Sequence, residues 1–222
     1  MDIFNTIVRF FQDGGLFMFP IAVVLTFGLA IALERYLFLT RAKITNKKAF
    51  ESLMPLLRKN DYNTALQKAK SIKAPLAQII AAGIFRVNQS PRREDVEYAM
   101  EESVMEALPP LEKRTQYLAT LANVATLLGL LGTIIGLIAA FTAVANADPS
   151  EKASLLSQSI SVAMNTTAFG LITAIPLLLT HALLQTKTTE IVDSFEMAGV
   201  KFMNILAGSR VVPAKTRTSD KA

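Results

Sequence analysis

Apolar positions along the chain fall into two patterns. In three stretches charge disappears altogether: Gly14 to Leu33, Thr115 to Ala147, and Ala153 to Thr186 with His181 counted as neutral. A helix needs about 20 predominantly apolar residues to cross a hydrocarbon core of roughly 30 Å. Each stretch meets that length, so three transmembrane helices are predicted. Between and beyond them, apolar residues recur at helical spacing among polar ones. Phe50, Leu53, Met54 and Leu57 share one face, Asn60-Asp61 offers a turn, and Ala65, Leu66 and Ala69 continue the pattern. Residues 46–71 therefore read as a helical hairpin. Pro75 opens a short helix from Leu76 to Val87, and Ser90-Pro91 reads as the cap and first position of the next.

Two of the spans are predicted to outrun the bilayer. Val96, Met100, Val104, Ala107 and Leu111 lead into span two, with Pro109-Pro110 the one interruption. A helix from Leu111 to Ala147 would measure about 55 Å, so its first turns stand outside the bilayer. Past Lys187, the repeat Ile191, Phe195, Ala198, Phe202, Ile205 carries the third helix to about Leu206, with a kink expected at Pro176. The tail is polar and basic, and is predicted to be disordered. The fold class expected is an all-α membrane protein with three transmembrane helices, spans two and three extending into a helical cytoplasmic domain. The divisions are 1–13 periplasmic, 14–39 span one, 40–114 cytoplasmic helices and 115–146 span two. A periplasmic turn over 147–155, span three over 156–186, a cytoplasmic helix extension over 187–208 and the tail 209–222 complete the chain.

The net charge of +5 changes the picture only through its placement. Arg35, Arg41, Lys43, Lys47 and Lys48 follow span one, Lys113 and Arg114 precede span two, and Lys187 follows span three. Lys152 alone separates spans two and three, and Arg9 alone precedes span one. Positive residues stay in the cytoplasm, which puts the N-terminus in the periplasm and the C-terminus inside. The basic residues thus report topology, and no nucleic-acid partner is expected. With Asp2 where a basic start would be needed, no signal peptide is expected. Zero cysteines and one histidine exclude thiol chemistry and make a metal site implausible. No phosphate-binding glycine loop is present, so an enzyme is not expected, nor any cofactor.

Polar residues inside the spans are the candidates for chemistry. Thr126 and Thr133 lie seven apart in span two; Ser159, Thr166, Thr173 and Thr180 recur every seven in span three, with Asn165 and Thr167 adjoining. Seven residues are nearly two turns, so each series lines one helix face. Such hydroxyls either bond neighbouring helices or line a hydrated path. Gly129, Gly132 and Gly136, with Gly170 in span three, supply small surfaces for close helix approach. Ion-coupled membrane proteins usually keep an intramembrane charge. None lies in these runs, so an ionisable group for ion handling must come from a partner. His181 reads as interfacial rather than as a proton relay. The acidic run Glu94, Asp95, Glu97, Glu101, Glu102, Glu106 reads as a solvated face, with a docking surface the sharper alternative.

Leu127-Leu128-Gly129-Leu130-Leu131-Gly132-Thr133-Ile134-Ile135-Gly136 resembles the corresponding helix of the ExbB/TolQ/MotA family of ion-driven motor channels. Asn165-Thr166-Thr167-Ala168-Phe169-Gly170-Leu171, followed by Ala174-Ile175-Pro176, is a second match: its TTxxG element resembles the flagellar-stator branch and its GLxxAIP element resembles ExbB and TolQ. Glu34-Arg35 after span one is also similar to the family pattern. Three spans place the chain closer to ExbB than to four-span stators. The resemblance implies a homopentamer around a single-span ExbD/TolR-type partner that carries the essential aspartate. It also implies Thr133 and Thr167 as pore-facing residues, with Thr126, Asn165, Thr166 and Thr173 along the same ion path. The transported ion would be H+ or Na+, and the work would reach the outer membrane through a TonB-like periplasm-spanning protein. Val162, where ExbB and TolQ usually carry glutamate, and Thr126, where they tend to have proline, are departures that leave the ion open. A MotA-type motility subunit and a passive membrane scaffold are the alternatives.

Overall fold

The computed structural model describes residues 10–11, 14–89 and 92–211, with side chains to Gly208. Six helices account for nearly all of them, and no strand occurs among the described residues. They are α1 Met18–Arg58, α2 Tyr62–Ser71, α3 Pro75–Gln89, α4 Arg93–Glu112, α5 Thr115–Asn146 and α6 Lys152–Val211. The Ser90-Pro91 helix start, most of the N-terminal segment and the 212–222 tail lie outside the described residues.

The helix ends have local causes. Span one and the first arm of the expected hairpin form one helix, α1, of 41 residues. The charged boundary at Glu34-Arg35 does not break it, because charge alone removes no backbone hydrogen bond. It stops at Lys59-Asn60, where Asn60 takes a left-handed φ of 56°, a conformation asparagine tolerates. Asp61 then caps α2 by accepting from the Thr64 N–H at 3.2 Å. The expected interruption at Pro109-Pro110 is displaced, since both prolines lie inside α4. The carbonyls they leave without donors belong to Met105 and Glu106, whose side chains are exposed, so water can satisfy them. The break falls instead at Arg114, with φ 67°. Pro176 lies inside α6 without ending it.

The chain divides into two compact units. The first comprises Met1–Leu37 and Lys113–Gln185, the second Phe38–Glu112 and Thr186–Ala222. In the first, α1, α5 and α6 expose large apolar side chains, among them Phe19, Phe27, Leu127, Ile134, Phe141, Ile172 and Leu183. Of the most apolar 18-residue stretches in the three spanning regions, only 17%, 22% and 33% of residues are buried. A soluble monomer rarely exposes apolar patches beyond a few hundred Å², so this unit is a three-helix membrane bundle. Glu34 pairs there with Arg114 at 3.5 Å.

The second unit has a water-type core. Leu53, Leu57, Ile80, Ile84, Val96, Met100, Phe195 and Phe202 are buried, on the faces that their periodicity marks. Gly83 leaves room for Met100 Sδ and Phe202 Cε1, joining α3, α4 and α6. Tyr62 meets Phe202 edge-on, ring centroids 6.5 Å apart. Asn46 of α1 accepts from the Leu76 N–H at 3.1 Å, a buried cap for α3. Lys43 pairs with Glu190, and Lys187 donates to Thr40 Oγ1 at 3.1 Å. The ammonium of Lys43 holds the Glu190 carboxyl below the usual carboxylate range.

Candidate functional site

The polar side chains of the spans are organised around a seam between α5 and α6. On α5 the buried small residues Ala125, Gly129, Gly132 and Ala140 lie at helical spacing, with Gly136 in the same row. Opposite them on α6 lie Ala163, Thr166, Thr167 and Gly170. A Cβ added to Gly129 would sit 3.3 Å from Thr167 Cα, and one added to Gly170 would sit 2.8 Å from the Ala125 carbonyl oxygen. On the same construction a Cβ at Gly132 would run into Thr166 Cγ2, and one at Gly136 would sit 2.9 Å from Ala163 Cβ. As α5 positions rise from 125 to 136, their α6 partners fall from 170 to 163, an antiparallel pairing. The two backbones touch, an approach that only small residues permit between membrane helices.

Each threonine has a distinct environment. Thr167 Oγ1 donates to the Gly129 carbonyl at 2.8 Å, crossing the seam. Thr133 Oγ1 donates to Leu130 O of its own helix at 2.6 Å, and Thr126 Oγ1 to Ala122 O at 3.1 Å. All three are half-buried, as is Asn165. A hydroxyl that donates its proton to a carbonyl turns its lone pairs outward, as an acceptor for water, a protonated acid or a cation. Thr166 and Thr173 are more enclosed. Both are buried within the unit, and Thr166 Oγ1 is within hydrogen-bond distance of Gly14 O at 2.6 Å and Val162 O at 2.9 Å. Thr173 Oγ1 is buried without a hydrogen-bond partner. Thr180 is half-buried and donates to Pro176 O at 2.8 Å.

The heptad series of span three thus points largely into the bundle, where Phe169 of α6 packs with Met18 and Ile21 of α1. Thr133 and Thr167 sit instead at the edge of the seam. Sequence reasoning missed Gly14, whose carbonyl lies within reach of Thr166, and Gly28, whose missing side chain makes room for Leu177. It also missed the alanines that complete the small-residue row. An alanine recurring every three or four positions with the glycines was the available signal.

The chain is similar to known proteins. The model of the MotA/TolQ/ExbB proton channel family matches residues 71–197. A putative biopolymer transport protein ExbB homolog of Methanothermobacter thermautotrophicus is 28% identical over 199 residues, 89% of this chain and 69% of that protein. Two proteins of a Synechocystis species are similar as well. The putative biopolymer transport protein ExbB-like 3 is 26% identical over 75% of this chain and 79% of its own length. ExbB-like 1 is 29% identical over 85% and 74%.

Proposed function

Because the chain belongs to the MotA/TolQ/ExbB proton channel family, we propose that it is the channel-forming subunit of an ExbB/TolQ-type motor in a bacterial inner membrane. It couples a flow of H+ or Na+ to periplasmic or outer-membrane work such as TonB-dependent transport. The working assembly is a homo-oligomer, a pentamer by family resemblance, around a single-span partner of ExbD/TolR type. The N-terminus is periplasmic, and residues 40–112 and the C-terminus are cytoplasmic, by the distribution of basic residues.

One observation carries this reading. The charge-free runs hold no acid or base of their own beyond His181, while Thr133 and Thr167 present half-buried hydroxyl oxygens beside a backbone seam. An aspartic acid brought by the partner could, when protonated, donate to these oxygen acceptors without competing charge. We assign the ion path to Thr133 and Thr167, with Thr126 and Asn165 flanking. Thr166 and Thr173, buried inside a single subunit, serve packing instead.

Proteoliposomes containing the chain and an Asp-bearing single-span partner test the reading by ion flux, in sodium and in sodium-free buffer. The T133V/T167V variant should lose about tenfold or more in flux, roughly 1.4 kcal/mol of barrier, with assembly intact. The bond from Thr167 to Gly129 favours a second reading, in which the hydroxyls only hold helices together. Unchanged flux in an intact variant would select that one.

A further inference from the structure

A groove of about 380 Å³ runs between α4 and α6 of the second unit. Met100, Phe195 and Met203 form its buried floor, while Met105 and Val200 on its walls are 70% and 61% exposed. Glu97 and Glu101 of α4 and Glu196 of α6 stand along it, against the one cation of Arg93. All four are exposed, and none has an ion-pair partner among the described residues. Part of the acidic run of α4 therefore borders a concave, partly apolar surface with an excess of negative charge.

The same unit carries the matching shape and charge on α1. Arg41, Ile44 and Lys48 follow one another at three and four positions, so they form one ridge of that helix. All three are exposed, and neither cation has an ion-pair partner among the described residues. The ridge from Arg41 to Lys48 is about 10.5 Å long and the α4 wall from Glu97 to Met105 about 12 Å, so the two lengths agree. None of the three ridge residues lines the groove of its own chain. One copy thus leaves both surfaces uncovered, and a second copy supplies what each lacks.

We propose that the α4–α6 groove receives the α1 ridge of a second copy of this chain. Ile44 enters between Met105 and Val200, where the unbranched methionine adapts to its shape. Arg41 and Lys48 meet the carboxylates of Glu97, Glu101 and Glu196. An amphipathic helix laid into an apolar groove is a recurrent mode of recognition, and opposite charges around it fix register and suppress wrong partners. Groove and ridge are different surfaces, so the contact is head-to-tail, and it closes a ring when the rotation between copies allows. This pairing rests on the homo-oligomer proposed above and gives its copies the faces that join them.

Because the chain holds no cysteine, single cysteines test the contact. I44C and M105C are placed on separately tagged full-length chains, co-expressed, and treated in membranes with a short bismaleimide. Both tags should appear in one cross-linked band, and neither variant expressed alone should cross-link to itself. E97K/E101K on the M105C chain should lower that band by about tenfold or more, since like charges then face each other. R41E/K48E on the I44C chain should restore it, because the reversed faces again match and only exposed side chains have changed. Should the reversals prevent folding, the cross-link between faces of unaltered charge decides alone. Cross-links only between like cysteines, no loss with E97K/E101K, or no rescue by R41E/K48E would overturn the proposal. An oligomer in native mass spectrometry without the I44C–M105C cross-link overturns these faces and leaves the motor subunit standing. A monomer in the same measurement overturns the homo-oligomer as well. Protection of M105C from a monofunctional maleimide without that cross-link gives the groove to a different occupant and overturns the pairing too.

Discussion

Gly170→Ala puts one methyl group into the tightest point of the α5–α6 seam. Its carbon would lie 2.8 Å from the Ala125 carbonyl oxygen and 3.1 Å from Gly129 Cα. Both obstacles are backbone and cannot rotate away. Ordinary contact begins at 3.4 Å, so the helices must part by about 0.6 Å, a displacement that close-packed interiors resist. Overpacking of this kind costs about 1–3 kcal/mol. Stretching the Thr167–Gly129 bond forfeits roughly another 0.6 kcal/mol, the average for such bonds in membranes. The better helix propensity of alanine returns about 1 kcal/mol, leaving a net loss of about 0.6–2.6 kcal/mol. Gly199→Ala is the control on the same helix. There the added carbon meets only Met100 Cε, at 3.8 Å, so the variant should gain about 1 kcal/mol. Unfolding of the detergent-solubilised chain by added SDS, followed by far-ultraviolet circular dichroism, reads both. The reasoning is refuted if G170A is as stable as the wild type, or if G199A falls alongside it.

Two further results should follow, measured by the same titration. T166V removes the contact with the Gly14 carbonyl and should cost about 0.6–1.7 kcal/mol. T173V removes a buried hydroxyl that has no partner and should be neutral or stabilising, so equal losses in the two variants would contradict the assigned partners. For E190Q the sign runs with acid. Lys43 depresses the folded-state pKa of Glu190, so its contribution is complete above the unfolded carboxylate pKa and is lost as pH falls through the lowered value. E190Q should match wild type in the acid-unfolded limit and show a shallower loss of stability on the way down. Identical acid limbs would exclude a role for the pair.

Much of the bundle was legible because lipid imposes one rule on long stretches. Absence of charge located the spans, and the glycines of 129–136 marked a face where another helix comes close. The 3.6-residue pattern likewise selected Leu53, Leu57, Val96, Met100, Phe195 and Phe202 for the second unit's core. The misplaced features depend on single backbone angles or on distant partners. Two prolines inside α4 and a break at Arg114 invert the usual expectation, since arginine is no regular occupant of left-handed φ. Nothing near Thr166 in the sequence announces Gly14 as its neighbour, and the seven-residue repeat alone could not tell a face buried in the bundle from one lining a path. Thr133 and Thr167 stood out through motif resemblance, while the direction of their hydroxyls required the fold.

The α5–α6 seam carries a thermal consequence. Between helices already in lipid there is no hydrophobic drive to association, so van der Waals contact and hydrogen bonds such as Thr167–Gly129 hold the pair. Separating them within the bilayer exposes little surface to water and so carries almost no heat-capacity change. The core around Phe195 and Phe202 is of the opposite kind, because its hydrophobic stabilisation fades on cooling. Chilling should therefore loosen the second unit's core while the seam keeps its grip, and the two regions should report separate temperature optima.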